Sequence, residues 1–284
     1  MRALWDVPAP AKINLFLHIV GRREDGYHLL QSVFALVDWA DTLHFERRSD
    51  GQISRADLNH QAPALPEQDL VVRAARLLQQ ATGCTLGAHI ALEKHLPMEA
   101  GMGGGSTDAA STLLALNRLW NLRLPLPQLL TLGLQLGADL PFFLGGRNAW
   151  VEGIGETLHP IDLPSARVLI VKPPTGASTP KIFQSPSLKR DTKRSIIEDF
   201  VANGSERIFG YGHNDLQPVA QTLCPDITTG LQWMQEHGLP ARMTGSGSAL
   251  FAKVAHDVDT STLPPGWIAR HCNILNEHPL VGWQ

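Results

Sequence analysis

The sequence predicts a mixed fold, α+β or α/β, in two domains. Three observations predict it. Apolar stretches of period two alternate along the chain with stretches of helical period. Prolines cluster between Leu158 and Ser165, a composition typical of a domain boundary. The chain has 284 residues and is 43% hydrophobic, enough for one large core or two ordinary ones. Its net charge of −3 comes with no basic stripe, so nucleic acid is not an expected partner. No apolar run reaches the roughly 18 residues of a membrane span, and "MRALWDVPAPAKINLFL" lacks the apolar core of a signal peptide. Cys84, Cys224 and Cys272 are far apart and odd in number. They predict free thiols in a reducing, cytoplasmic setting.

"KINLFLHIV", residues 12–20, reads as a strand. Period-two alternation puts Ile13, Leu15, Leu17 and Ile19 on one face and Lys12, Asn14, Phe16 and His18 on the other. An Asp25-Gly26 turn leads into further apolar segments, and residues 47–66 read as loop with short strands. "DLVVRAARLLQQATG" is a helix with Leu70, Ala74, Leu77, Leu78 and Ala81 on one stripe, Asp69 as N-cap and Gly83 closing it. "AHIALEKHLP" returns as a strand. "STDAASTLLALNRLWNL" and "PLPQLLTLGLQLG" are helices, the second closed by Gly137. "ADLPFFLGGRNAWVEGIGETLHPI" reads as loop and strand. Past the prolines come a strand "ARVLIVKPP", a loop "TGASTPKIF" and helices "SIIEDFVAN" and "TTGLQWMQEHG". The strand-like "ARMTGSGSALFAKVA" is interrupted by Gly245 and Gly247, and the tail after Ala255 carries no usable motif.

Chemistry concentrates in three loops. "LPMEAGMGGGSTDAAS", Leu96 to Ser111, lies between a strand and a helix. Glycines let backbone N–H groups approach an oxyanion, and a helix N-terminus adds unpaired donors and partial positive charge. Ser106 and Thr107 can cap that helix or donate to a phosphate, and Asp108 can serve as a dipole partner. No Gly-Lys-Ser/Thr ends the stretch, so it is not a Walker A loop. In "GADLPFFLGG", Asp139 sits among apolar residues. It is either a turn or helix-end cap, or a general base in a dry pocket paired with a cation, for which Lys12 is the candidate. "TGSGSA", Thr244 to Ala249, is either a tight bend or a set of backbone donors to a substrate, through Gly245 and Ser246.

These pieces together resemble the GHMP kinases. "PAPAKINLFL", "PMEAGMGGGSTDAA" and "MTGSGSALF" are similar to that family's three motifs. "GRREDGYH" and "TPKIF" narrow the likeness to a branch that acts on a cytidine diphosphate-linked methylerythritol. The resemblance spans Pro8 to about Val254. It implies an α+β two-domain fold: an S5-like nucleotide domain over 1–160 and a ferredoxin-like domain over 161–284 that contributes to the substrate site. It implies ATP with Mg2+, phosphorylation of the substrate's 2-hydroxyl in non-mevalonate isoprenoid biosynthesis, and a monomer or homodimer. The metal ligands stay unassigned.

Residue by residue, the resemblance implies Asp139 as general base and Lys12 as its charge partner. ATP would be held by Pro97, Met98, Glu99, Ala100, Gly101, Met102, Gly103, Gly104, Gly105, Ser106 and Thr107, with Lys94 on the adenine side. Tyr27, His28 and Phe183 would read the cytosine, and Asn14, Thr179, Gly245 and Ser246 would hold the substrate. Glu99 and Ala100 stand where relatives often have glycine, Met102 where they have leucine, and Asp69 where they usually carry asparagine.

Overall fold

The computed structural model describes residues 1–59, 65–202 and 207–283. Residues 60–64 of the predicted loop, and Asn203 at the end of "SIIEDFVAN", lie outside them. Strands β1 (Ala3–Arg22) and β2 (His28–Arg48) form a long antiparallel hairpin around the predicted Asp25-Gly26 turn. Gly26 takes a left-handed φ of 92° there, and the Asp25 side chain accepts from Tyr27 N at 3.2 Å. Strands β3 (Ile53–Asp57), β4 (Gly87–Glu93), β5 (Ala149–Glu152) and β6 (Thr157–Pro160) complete a six-stranded sheet ordered β3-β4-β2-β5-β6, with β1 on β2. Among the described strands only β3 and β4 pair in parallel, through the crossover helix α1 (Leu70–Thr82). Helices α2 (Gly104–Leu119), α3 (Leu126–Leu136) and α4 (Leu140–Gly145) join α1 on one face.

The second sheet, ordered β10-β7-β9-β8, is antiparallel: β7 (Arg167–Lys172), β8 (Arg242–Met243), β9 (Leu250–Val254) and β10 (Ile268–Asn273). Around it lie α5 (Thr179–Gln184), α6 (Ile197–Ala202), α7 (Gln217–Leu223) and α8 (Asp226–Glu236). Three cores follow: helices α1–α4 against the first sheet, sheet against sheet, and the second sheet against α5, α7 and α8. Strand β1 feeds all three, through Val7 and Ala9, then Ala11 to Phe16, then Leu17 and Ile19. It can do so because its register with β2 shifts between Pro10 and Lys12, and again between Asn14 and Leu17. Those bulges break the simple alternation read from the sequence and turn the strand's faces as it runs.

Four expectations change. Residues 140–145 and 179–184, read as loop, are short helices α4 and α5; each has proline in its first turn, where the missing N–H costs nothing. Helix α2 begins two residues earlier than read, with left-handed Gly103 as N-cap, so Ser106 and Thr107 lie inside its first turn and cap nothing. The motif-free tail supplies strand β10, and α7 had no counterpart in the sequence reading. The caps of α1 hold: Asp69 accepts from Val72 N at 3.0 Å, and Gly83 sits at φ 64°. Among the described residues no helix is long and apolar enough to cross a membrane.

After β10 the chain runs back along the first sheet. Leu275 N donates to Leu36 O at 2.9 Å. Buried Asn148 clamps both strands, accepting from Leu36 N at 2.8 Å and donating to Leu275 O at 2.8 Å. An Asn148→Ala variant strands a backbone donor and a backbone acceptor, and should lose about 2–4 kcal/mol of stability. Urea denaturation measures this, and an unchanged midpoint would show that the clamp is dispensable.

Candidate active site

The stretch from Lys94 to Gly103 links β4 to α2 and folds against the turn between β8 and β9. Ser248 N donates to Glu99 O at 3.0 Å, and Ala249 N to Ala100 O at 3.2 Å. Gly101, at φ 71°, packs so closely on this turn that a Cβ would overlap Thr244 O. Gly103, at φ 75°, would place a Cβ 2.8 Å from the Phe143 ring and 3.5 Å from Lys12 Cε. Gly104 and Gly105 meet no such obstacle; their nearest neighbours are at 3.6 and 3.4 Å. The first two glycines thus serve fit between segments, and the last two leave backbone open at the start of α2. That start faces a cleft of about 720 Å³, walled by Pro97 to Ser106, Asp69 to Val71 and Ser178 to Pro180.

Glu99 takes a left-handed φ of 49°, a conformation natural to glycine. Its carboxylate lies against the backbone of Gly176. Thr107 is fully buried, its hydroxyl has no hydrogen-bond partner among the described residues, and it does not line the cleft. Ser106 does line it.

Lys12 is held beside Gly103 by its own backbone, whose N–H donates to Met102 O at 3.0 Å. Its ammonium donates to Asn14 Oδ1 at 2.6 Å, lies 4.3 Å from the centroid of Phe34 and faces Asp139 Oδ2 at 3.7 Å. Asn14 is fixed in turn by Ser32 Oγ at 2.9 Å and by Thr244 Oγ1, which accepts from Asn14 N at 2.8 Å. Burial lowers the Lys12 pKa, and the Asp139 carboxylate opposes that shift. Asp139 stands at the start of α4 but makes no side-chain capping bond, and its side chain keeps 30% of its surface exposed. The cap reading of Asp139 therefore fails, and the pairing with Lys12 stands. Asn14 is buried and lines neither cleft; it acts on Lys12 and on the Thr244 turn.

Lys94 lines the cleft, yet its ammonium is engaged beneath it by Asp41 and by Asp108 at 2.8 Å. Burial alone would lower its pKa; Asp108 and Asp41 overcome this and raise it. Burial raises Asp108 well above the usual carboxylate range despite Lys94, and the neighbouring Asp41 adds to the rise. Asp41 also accepts from the backbone N–H groups of His95 and Leu96, at 2.6 and 2.7 Å, so the trio sets where the glycine stretch departs from β4. Asp108, expected as a dipole partner, is a buried member of this trio.

A second cleft, of about 650 Å³, lies beside α5. Tyr27, His28 and Phe183, the residues that the resemblance assigns to the cytosine, line it together. Tyr27 is 60% exposed, and the His28 and Phe183 rings stand 5.0 Å apart, tilted by 36°. Pro180 lines both clefts, and Thr179 Oγ1 meets Ser246 Oγ at 2.6 Å. Gly245 does not reach the first cleft; it packs on Gly101.

Comparison with known proteins identifies the family. The GHMP kinases N terminal domain matches residues 69–147, and the GHMP kinases C terminal matches residues 197–259. The 4-diphosphocytidyl-2-C-methyl-D-erythritol kinase of Polaromonas naphthalenivorans (strain CJ2) is 60% identical over 100% of this chain and 97% of its own length. The chain belongs to the 4-diphosphocytidyl-2-C-methyl-D-erythritol kinases, within the GHMP kinase superfamily. The same-named protein of Albidiferax ferrireducens (strain ATCC BAA-621 / DSM 15236 / T118) is 61% identical over 100% of this chain and 96% of its own. A crystal structure of 4-(cytidine 5'-diphospho)-2C-methyl-D-erythritol kinase superposes with a TM-score of 0.73 at 34% identity, covering 87% of this chain and 89% of that one. Homoserine kinase from Cytophaga hutchinsonii, 14% identical, shares the fold alone, with a TM-score of 0.72 over 98% and 96% of the two chains.

As a GHMP kinase the protein is an ATP-dependent small-molecule kinase with the two-domain α+β fold of that superfamily. Three parts of the candidate site are not legible in the sequence. Asp41 lies in β2, 53 residues from Lys94, with nothing local to mark it. Thr244 was read as part of a bend, not as the partner of Asn14. Arg190, which donates to His28 at 3.0 Å, sits in a charged stretch that reads as surface.

Gly103 can be tested directly. Gly103→Ala would force an L-residue into a left-handed backbone and press on Phe143, at a cost of about 1–3 kcal/mol. A lower Tm in thermal unfolding is expected. An unchanged Tm would mean that the segment adjusts freely at this position.

Proposed function

We propose that the kinase transfers the γ-phosphoryl group of ATP to the 2-hydroxyl of 4-diphosphocytidyl-2-C-methyl-D-erythritol, a step of non-mevalonate isoprenoid biosynthesis in the cytoplasm. In this reading residues 1–160 form the ATP-binding domain, and residues 161–284 complete the substrate site with α5 and Ser246. The observation that carries it is the Lys12–Asp139 pair, 3.7 Å apart and adjoining Gly103.

The open backbone at Gly104 and Gly105, and the N–H groups of the first turn of α2, receive the triphosphate. The Asp139 carboxylate accepts the proton of the attacking hydroxyl as its oxygen approaches the γ-phosphorus. Lys12, kept close by Asn14 and Met102, stabilises the negative charge that develops there. The transfer itself asks mainly for positioning and charge stabilisation. The Ser106 hydroxyl, which faces the cleft with no hydrogen-bond partner among the described residues, suits a hard divalent cation that arrives on the triphosphate and needs few protein ligands. Mg2+ bound there would neutralise charge on the phosphates. Tyr27, His28 and Phe183 hold the cytosine, and Pro180, common to both clefts, joins base site to reaction site.

ADP release measured against the cytidyl compound, mevalonate, homoserine and galactose should show turnover with the cytidyl compound alone. Strong turnover with mevalonate would sink the assignment. Asp139→Asn should keep its fold and ATP binding but lose at least about 100-fold in kcat. Near-full activity in that variant would remove Asp139 from the role of base.

A further inference from the structure

We propose that Arg190 is a positioning residue: it fixes which nitrogen of His28 carries the proton, and so makes the aromatic cleft select cytosine over uracil. This rests on the base-binding reading of that cleft given above. Arg190 Nε donates to His28 Nε2 at 3.0 Å. A guanidinium stays protonated and only donates, so Nε2 must present its lone pair. The proton of the neutral ring then sits on Nδ1. The arginine cannot swing aside without loss, because its other nitrogens are committed. Nη1 donates to Leu188 O at 2.8 Å, and Nη2 to Phe183 O at 3.0 Å and to Ser185 O at 2.8 Å.

Two further features support this. Arg22 at the end of β1, Asp25 and Tyr27 from the turn that follows, and Arg190 from beyond α5 line the cleft with the ring. Burial first, and then Arg190 and Arg22, lower the His28 pKa below its ordinary value of 6.5, so the ring stays neutral around pH 7. Nδ1 makes no hydrogen bond among the described residues, which leaves its N–H for a ligand. At N3 cytosine offers an acceptor, whereas uracil carries an N–H there; O2 accepts in both bases, so N3 is the atom that distinguishes them. An Nδ1–H donor completes a hydrogen bond with the first and meets another donor in the second. A site with a fixed donor rejects such a mismatch strongly, because both groups lose their water and gain no partner.

The test combines spectroscopy with substrate competition. In the full-length kinase with 15N-labelled histidine and no ligand, NMR should report His28 with a protonated Nδ1 and an unprotonated Nε2. In Arg190→Met the proton should move wholly or partly to Nε2. The ratio of kcat/KM for the cytidyl substrate to that for its uridyl analogue should fall by roughly 10-fold or more. Arg190→Lys, which restores a charged donor, should recover part of that ratio. Merely structural support of α5 would raise KM for both compounds and leave the ratio unchanged. A wild-type ring protonated at Nε2, or a ratio unchanged in Arg190→Met, overturns the proposal. If Arg190→Met does not fold, the wild-type spectrum alone still decides the tautomer. Phe183→Ala tests the underlying reading separately. If it leaves KM for the cytidyl compound unchanged, the cleft does not hold the base, whatever the His28 spectrum shows.

Discussion

Everything at the site depends on one close approach of backbone to backbone. The glycine stretch and the turn between β8 and β9 lie so near each other that Gly101 can carry no side chain. Two hydrogen bonds, from Ser248 N to Glu99 O and from Ala249 N to Ala100 O, hold them there. Lys12 is attached to this seam by Met102 O, and Asn14 by Thr244 Oγ1. The ammonium that faces Asp139 is therefore positioned by both halves of the chain. Precise placement of this kind is what phosphoryl transfer requires of a protein, which has little covalent chemistry to perform.

Electrostatics under the cleft follow a different rule from electrostatics in it. Lys12 has one partly exposed carboxylate near it, and burial weakens its hold on the proton. Lys94 is enclosed by two carboxylates, and its charge is secured. The first arrangement leaves a cation able to respond to charge that appears during a reaction. The second spends its cation on structure: Asp41 ties β2 to the start of the glycine stretch.

What could be read from the sequence was local. Asp69 and Gly83 bound α1 because capping depends on neighbouring residues. The glycine stretch announced itself by composition and by its place between β4 and α2. Lys12 and Asn14 shared a face at short range. What could not be read was either too short or too distant. Helices α4 and α5 have six residues each, less than two turns, so no periodicity emerges from them. Strand β10 is an edge strand with exposed alternate positions, composed much like a loop. Asp41, Thr244 and Arg190 gain their roles from partners 53, 230 and 162 residues away. The resemblance to GHMP kinases supplied Tyr27, His28 and Phe183 as a group; spacing alone would have left them as hairpin and loop residues.

Strand β1 threads all three cores in succession within 20 residues. The two halves of the kinase thus share a load-carrying member and do not merely touch. A chain cut after β6 would leave the second sheet without Ala11, Ile13 and Leu15 beneath it, and would expose the inward faces of Val168, Ile170 and Phe251 to water. Loss of order in either half would uncover apolar surface of the other, which couples the stabilities of the two.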